Sequence, residues 1–268
     1  MSNKDIYKKC NVIEQMAVSE LLDDRTFFIP SYQRGYRWTK TQIYDLCNDL
    51  LEYALRKDKD QKAFYSLQPL IVRRTKRQIQ GEEMDVFEVI DGQQRLTSIF
   101  ILFRTLMKPA GYSNNDLEVY KDIKLYNIYY ETRPNDYLIF KKLGLEPIKK
   151  CEITDIDIAH IVNAYNYINQ WLDNEMADDP ECARSTWDLF SKEKYNKRDV
   201  ASIIINLLTN AQETSKPEGN AQFIWYEIDA DKDAIQEFLS ENKGKIRLTE
   251  TEKIRALFMQ RKGREEVN

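Results

Sequence analysis

Apolar residues along this chain recur at helical spacing in some stretches and cluster in short extended runs in others, with the two kinds interleaved. Phe27 and Phe28 lead into Ile29-Pro30, where the residue before proline is held extended. A helix follows. Thr39 and Gln42 form a capping box, Ile43, Leu46, Cys47, Leu50 and Ala54 share one helical face, and the charged run Arg56 to Asp60 ends it. Leu67 to Val72 and Asp85 to Ile90 are short apolar runs that predict the two strands of a hairpin, with Arg73 to Glu83 as the polar connection. Directly after the second strand, Leu96, Ile99, Phe100, Phe103, Leu106 and Met107 fall on one helical face. Ile101 and Leu102 extend that face, which predicts a buried helix capped by Asp91.

Beyond a linker near Lys108 to Asn115, helical periods dominate. Ile158, Ile161, Val162, Tyr165, Ile168 and Leu172 mark one helix, and Asp199 to Leu208 another. Thr209 to Asn220, with Pro217 and Gly219, reads as a loop, and Phe223 to Ile228 as a strand. A final helical pair is signalled by Asp231 as a cap, Gly244 at a C-terminal cap position, and Thr249 with Glu252 as a capping box. The expectation is an α+β fold in two parts. Residues 1–108 form an α+β domain, and residues 109–268 a mainly α-helical domain with one short strand.

Composition narrows the function classes. With 268 residues the chain is long enough for a substantial core, and 31% charged residues with only 8 glycines argue against long low-complexity segments. A net charge of -4 excludes a polycation that coats nucleic acid, so contact with DNA would need a local basic patch. Cys10, Cys47, Cys151 and Cys182 contain no C-x-x-C pair, and His160 is the single histidine, which argues against a structural zinc site. No apolar run approaches the roughly 18 residues of a membrane span. The expected setting is a reduced cytoplasm without membrane attachment.

Two segments carry candidate chemistry. A strand, then Asp91-Gly92-Gln93-Gln94-Arg95, then a helix presents free backbone N–H groups and a positive helix end to an anion, for which phosphate is the natural guest. Gly92 permits close approach of a ligand, Gln93 and Gln94 offer amides, and Arg95 a forked cation. The alternative reading is a capped helix with a surface arginine. Tyr32-Gln33-Arg34 adds a second cation and amide, and Tyr36, Arg37 and Trp38 offer faces for stacking. Its alternative is that Tyr36 and Trp38 staple the following helix to the core while the arginines pair with carboxylates. Arg73, Arg74, Lys76 and Arg77, in the expected hairpin connection, form a basic stretch that could touch a DNA backbone or simply be solvated.

Ile29-Pro30-Ser31-Tyr32-Gln33-Arg34-Gly35-Tyr36-Arg37-Trp38, taken with Val89-Ile90-Asp91-Gly92-Gln93-Gln94-Arg95-Leu96-Thr97, resembles the paired signature of the N-terminal domain of GmrSD-type restriction proteins. Phe238 to Met259, with Asn242, Gly244, Leu248, Thr249 and Lys253, resembles that family's closing stretch. The family is related to ParB and sulfiredoxin, and Gln68-Pro69-Leu70-Ile71-Val72 with the glycine-arginine turn after it resembles the ParB nucleotide site.

The resemblance implies a ParB/sulfiredoxin-like N-terminal domain that binds and hydrolyses an NTP with Mg²⁺ in defence against phage or modified foreign DNA. It implies that Tyr32, Arg34, Gly92, Gln93, Arg95 and Thr97 bind the nucleotide. Asp91, Gln94 and Gln33 are the implied catalytic residues, with Asp91 capping the helix or holding Mg²⁺ and Gln33 or Gln94 orienting water. Expected partners are the nucleotide, DNA, and a nuclease domain or subunit outside this sequence; an oligomer is compatible. The alternative function is a non-enzymatic DNA- or protein-binding module of a defence system. No P-loop, G-x-S-x-G elbow or nuclease motif is present, so any NTPase would be of a non-P-loop kind.

Overall fold

In the computed structural model of the chain, the described residues are 12–22, 25–56, 63–107, 123–133, 136–173, 195–209 and 221–229. In chain order the elements are β1 (Val12–Ala17), α1 (Val18–Leu21), β2 (Thr26–Ile29), α2 (Lys40–Leu55), β3 (Tyr65–Ile79) and β4 (Glu82–Asp91). There follow α3 (Gln93–Met107), β5 (Asn127–Tyr130), α4 (Asp136–Lys142), α5 (Ile156–Leu172), α6 (Lys197–Thr209) and β6 (Ala221–Ile228).

The six strands form one mixed sheet in the order β1-β6-β3-β4-β2-β5. The pairs β1–β6 and β3–β4 are antiparallel, whereas β2 runs parallel to both β4 and β5, and β3 parallel to β6. Side chains alternate along each strand, so one face receives Phe27, Leu70, Val72, Val89 and Trp225, all buried in one core with Leu50, Phe103, Ile161 and Ile204 of the helices. The opposite face receives Arg73, Arg77 and Glu88 together with the small cluster of Phe28, Ile79 and Val86. Mixed α and β content is thus as expected. Strands from both sides of residue 108 share this sheet and this core, because β6 lies between β1 and β3 and β5 lies beside β2. A boundary at 108 does not separate two sheets.

Local signals explain several helix limits. The Gln42 side-chain oxygen accepts from the Thr39 backbone N–H at 2.8 Å, which starts α2 where the capping box places it. Asp155 caps α5 by accepting from the N–H groups of Asp157 and Ile158 at 2.8 and 3.0 Å. Trp171 Nε1 donates to Asn48 Oδ1 at 2.8 Å and ties α5 to α2 inside the core.

Two expectations need correction. The hairpin is longer than its apolar runs: β3 and β4 meet at Gln80-Gly81, whose φ values of 55° and 89° suit a two-residue turn. Arg73, Arg74, Lys76 and Arg77 therefore lie in the ladder, opposite Glu88, Phe87, Asp85 and Met84, and not in a connection. A two-stranded ribbon with a solvated side needs no continuous apolar run, so hydrophobicity alone cuts such strands short. Asp91, expected to cap α3, is instead the last residue of β4, paired with Ile71. Gly92 takes the flanking position, and its carbonyl accepts from Leu96 N at 3.0 Å.

The expected linker at Lys108 to Asn115, the later part of the Thr209 to Asn220 loop, and the signals at Asp231, Gly244, Thr249 and Glu252 lie outside the described residues. So do Asn242, Lys253 and the rest of the closing stretch. Among the described residues no helix is long and apolar enough to cross a membrane.

Candidate functional site

The loop after β2 and the first turns of α3 are fastened to one another by glutamine amides. Gln93 Nε2 donates to the Arg34 carbonyl at 2.5 Å, and Gln94 Nε2 donates to the Gly35 carbonyl at 2.9 Å. The Gln94 oxygen in turn accepts from the Arg37 backbone N–H at 2.9 Å, and Gln33 Nε2 donates to the Val89 carbonyl. An amide side chain offers donor and acceptor together, whereas an ionised carboxylate at position 93 or 94 could not donate to these carbonyls. The two signature segments thus form a single clasp.

Buried hydroxyls reinforce it. Tyr36, fully buried, shares a 2.7 Å hydrogen bond with Ser98 Oγ, and Thr97 Oγ1 shares one of 2.9 Å with the Tyr130 hydroxyl. Burial raises the Tyr36 phenol far above its usual range, so it stays protonated. Tyr36 has no free face for stacking on a ligand, and Trp38 packs against the core; of the two readings of these aromatics, the staple is the one observed. Gly92 is likewise occupied by the chain itself: a Cβ there would lie 2.8 Å from the Pro69 carbonyl oxygen, and φ is +93°. Its lack of a side chain lets Pro69 and Leu70 pack directly against the junction of β4 and α3.

What remains for a ligand is cationic. Arg34 is exposed on the loop, and Arg95 is half-buried in the first turn of α3. Among the described residues neither guanidinium has a hydrogen bond or a short ion pair. Burial lowers the Arg95 pKa, an effect opposed by nearby Tyr65 and Asp91, and a guanidinium stays charged under these conditions. The Tyr65 hydroxyl donates to Asp49 Oδ2 at 3.3 Å, so Arg95 faces the α2–β3 side, while Arg34 lies near Arg37 on the loop side.

Two carboxylates that sequence reasoning missed organise the surroundings. Asp157, 1% exposed, ion-pairs with Arg37 and Arg133 and lies directly against Gly35, so that the start of α5 grips the loop. His160, on the same helix, has its pKa lowered by burial and by Arg37, with a hydrogen bond to the Trp38 backbone opposing the shift. Glu88, also 1% exposed, accepts from Arg73 at 3.0 Å, from Arg77 at 2.6 Å and from the buried Tyr32 hydroxyl at 3.3 Å. Tyr32 is thereby tied to Glu88 below the sheet. Only the short helix-start signal at Asp155 and Asp157 is visible in the sequence; the pairings span distant segments.

The basic stretch is paired and divided. Arg73 and Arg77 meet Glu88, Arg74 meets Glu227 at 2.7 Å, and Lys76 meets Glu83 at 2.8 Å. Arg74 stacks over Phe87 on one side of the sheet and Arg77 over Phe28 on the other, so these four residues do not form one basic surface. Among the described residues no group of three or more His, Cys, Asp or Glu converges to hold a metal ion.

No curated protein matches the sequence. A sequence model of the GmrSD restriction endonuclease N-terminal domain matches residues 18–259, a span that contains both halves of the clasp and every described element from α1 to β6. The chain belongs to the GmrSD restriction endonuclease N-terminal domain family.

Proposed function

We propose that the clasp is a nucleotide site, and that this domain binds and hydrolyses an NTP to regulate a restriction system acting on foreign or modified DNA. One observation supports it above the others: the glutamine clasp joins the segments that carry Arg34 and Arg95, and among the described residues neither guanidinium has a hydrogen bond or a short ion pair. Backbone donors, a helix end and forked cations are what phosphate oxygens require. In this reading Arg34 and Arg95 neutralise the phosphates, and the N–H groups of Gln93 and its neighbours cradle them. Asp91 is the only carboxylate of the two signature segments. Mg²⁺ is commonly held by one or two carboxylates plus phosphate oxygens and water, so Asp91 suits an ion that arrives with the nucleotide. The Gln33 and Gln94 amides are engaged with backbone, and their part is to position the loop. Nucleotide state would then gate DNA recognition or a nuclease domain or subunit.

The second reading, a module that binds nucleotide, DNA or protein without turnover, is favoured by that same engagement of Gln33 and Gln94, which leaves no amide of the pair poised on a water. Phosphate release decides between them. Turnover of an NTP with Mg²⁺, lost in Arg95→Ala together with about a tenfold or larger loss of affinity, supports the hydrolase, since a charge-assisted hydrogen bond is worth about 1.5–3 kcal/mol. Nucleotide binding without phosphate release favours the binding module. Unchanged affinity in a folded Arg95→Ala protein removes the phosphate assignment.

A further inference from the structure

On the sheet face away from the core helices, a cavity of about 450 Å³ opens between the end of the β3–β4 hairpin and β5. Phe28, Ile79 and Tyr129 supply apolar and aromatic walls, Lys76 and Arg77 supply cations, and Glu131 supplies a carboxylate. Arg77 is held for binding on this wall. One arm lies on Glu88 at 2.6 Å and its guanidinium stacks over Phe28 at 5.3 Å, yet its Nε is buried with no hydrogen-bond partner. The Arg77 side chain is nonetheless 35% exposed, so its outer edge can meet an anionic oxygen in the cavity. Glu131 is fixed as well, one oxygen accepting from the Ser31 N–H at 2.6 Å.

Aromatic walls beside a forked cation match a planar base carrying a phosphate, and the volume suits one such unit. We propose that this cavity receives one unpaired nucleotide of a nucleic-acid strand, its base against Tyr129 and its phosphate on Arg77 and Lys76. The site is separate from the clasp: Arg95 lies at the start of α3 on the α2–β3 side, and none of the cavity residues comes from α3. The inference therefore does not depend on the nucleotide reading of the clasp.

The test is fluorescence anisotropy of a labelled single-stranded oligodeoxynucleotide with the full chain, its Tyr129→Ala and Lys76→Glu variants, and Arg95→Ala as a control, each first shown to melt like the parent. The proposal expects saturable binding, weakened about tenfold by Tyr129→Ala, the loss typical of one stacked base. Lys76→Glu should weaken binding and flatten its salt dependence. Arg95→Ala should leave the oligonucleotide affinity unchanged whether or not the clasp binds NTP. No binding of the oligonucleotide, or equal binding by Tyr129→Ala and Lys76→Glu, overturns the proposal. Displacement of the oligonucleotide by an equal concentration of a deoxynucleoside monophosphate assigns the cavity to free nucleotide and overturns the strand as its source. Loss of oligonucleotide binding in Arg95→Ala alone places the ligand on the clasp and overturns a separate site.

Discussion

Glu88→Ala is expected to destabilise the fold by about 3 kcal/mol, the scale for breaking a buried charge pair and leaving its partners uncompensated. Glu88 is 1% exposed and serves Arg73, Arg77 and Tyr32 at once, so its removal orphans three donors below the sheet. The arginine side chains are 17% and 35% exposed, and partial solvation keeps the loss at the lower end of that scale. For a domain of this size the melting temperature should fall by about 6–12 °C. Glu88→Gln, which keeps the volume and one acceptor, should lose less. A differential scanning calorimetry trace unchanged for Glu88→Ala would show that the cluster does not organise this face. Because Tyr32 belongs to the clasp, the same variant should also loosen the loop after β2.

Gly92→Ala combines a conformational and a steric cost. A non-glycine residue in such a backbone region costs about 1–3 kcal/mol, and here the new methyl also meets the Pro69 carbonyl at 2.8 Å and Leu70 Cδ1 at 3.0 Å. The backbone on both sides is held in the β3–β4 ladder and in α3, so neither can retreat cheaply. Gly81→Ala provides the control. Its φ is +89°, close to that of Gly92, but nothing lies within 4 Å of the added carbon, so only the conformational cost applies. Urea unfolding should therefore rank the two, with Gly92→Ala the less stable by a clear margin. Equal stabilities would mean that β3 and the start of α3 are not in the contact described.

The elements legible in the sequence were those whose signals are local. The period of Ile43, Leu46, Cys47 and Leu50 with the Thr39 capping box gives α2, and Ile158 to Leu172 gives α5, because a helix places its own neighbours on one face. β1 and β5 escaped notice; the four residues of β5 carry almost no periodicity, and their pairing partners lie far along the chain. The outer ends of β3 and β4 escaped because charged cross-strand pairs such as Lys76 with Glu83 look like a loop to a hydrophobicity count. At the site, the two signature segments were recognisable as a pair, but the glutamines were read as ligand groups when their amides in fact fasten one segment to the other. Glu88 and Asp157 were missed for a physical reason: a buried carboxylate is identified by its partners, and those come from other strands and helices.

The central claim is that the clasp presents Arg34, Arg95 and the start of α3 to a nucleotide's phosphates. Isothermal titration calorimetry of the chain with ATP, GTP, CTP and UTP in the presence of Mg²⁺ tests it most directly. The account predicts saturable one-to-one binding of at least one of the four, abolished or strongly weakened in folded Arg95→Ala. Absence of binding heat with all four, confirmed by equilibrium dialysis, would contradict it and leave the clasp as a structural fastening between the loop after β2 and the start of α3.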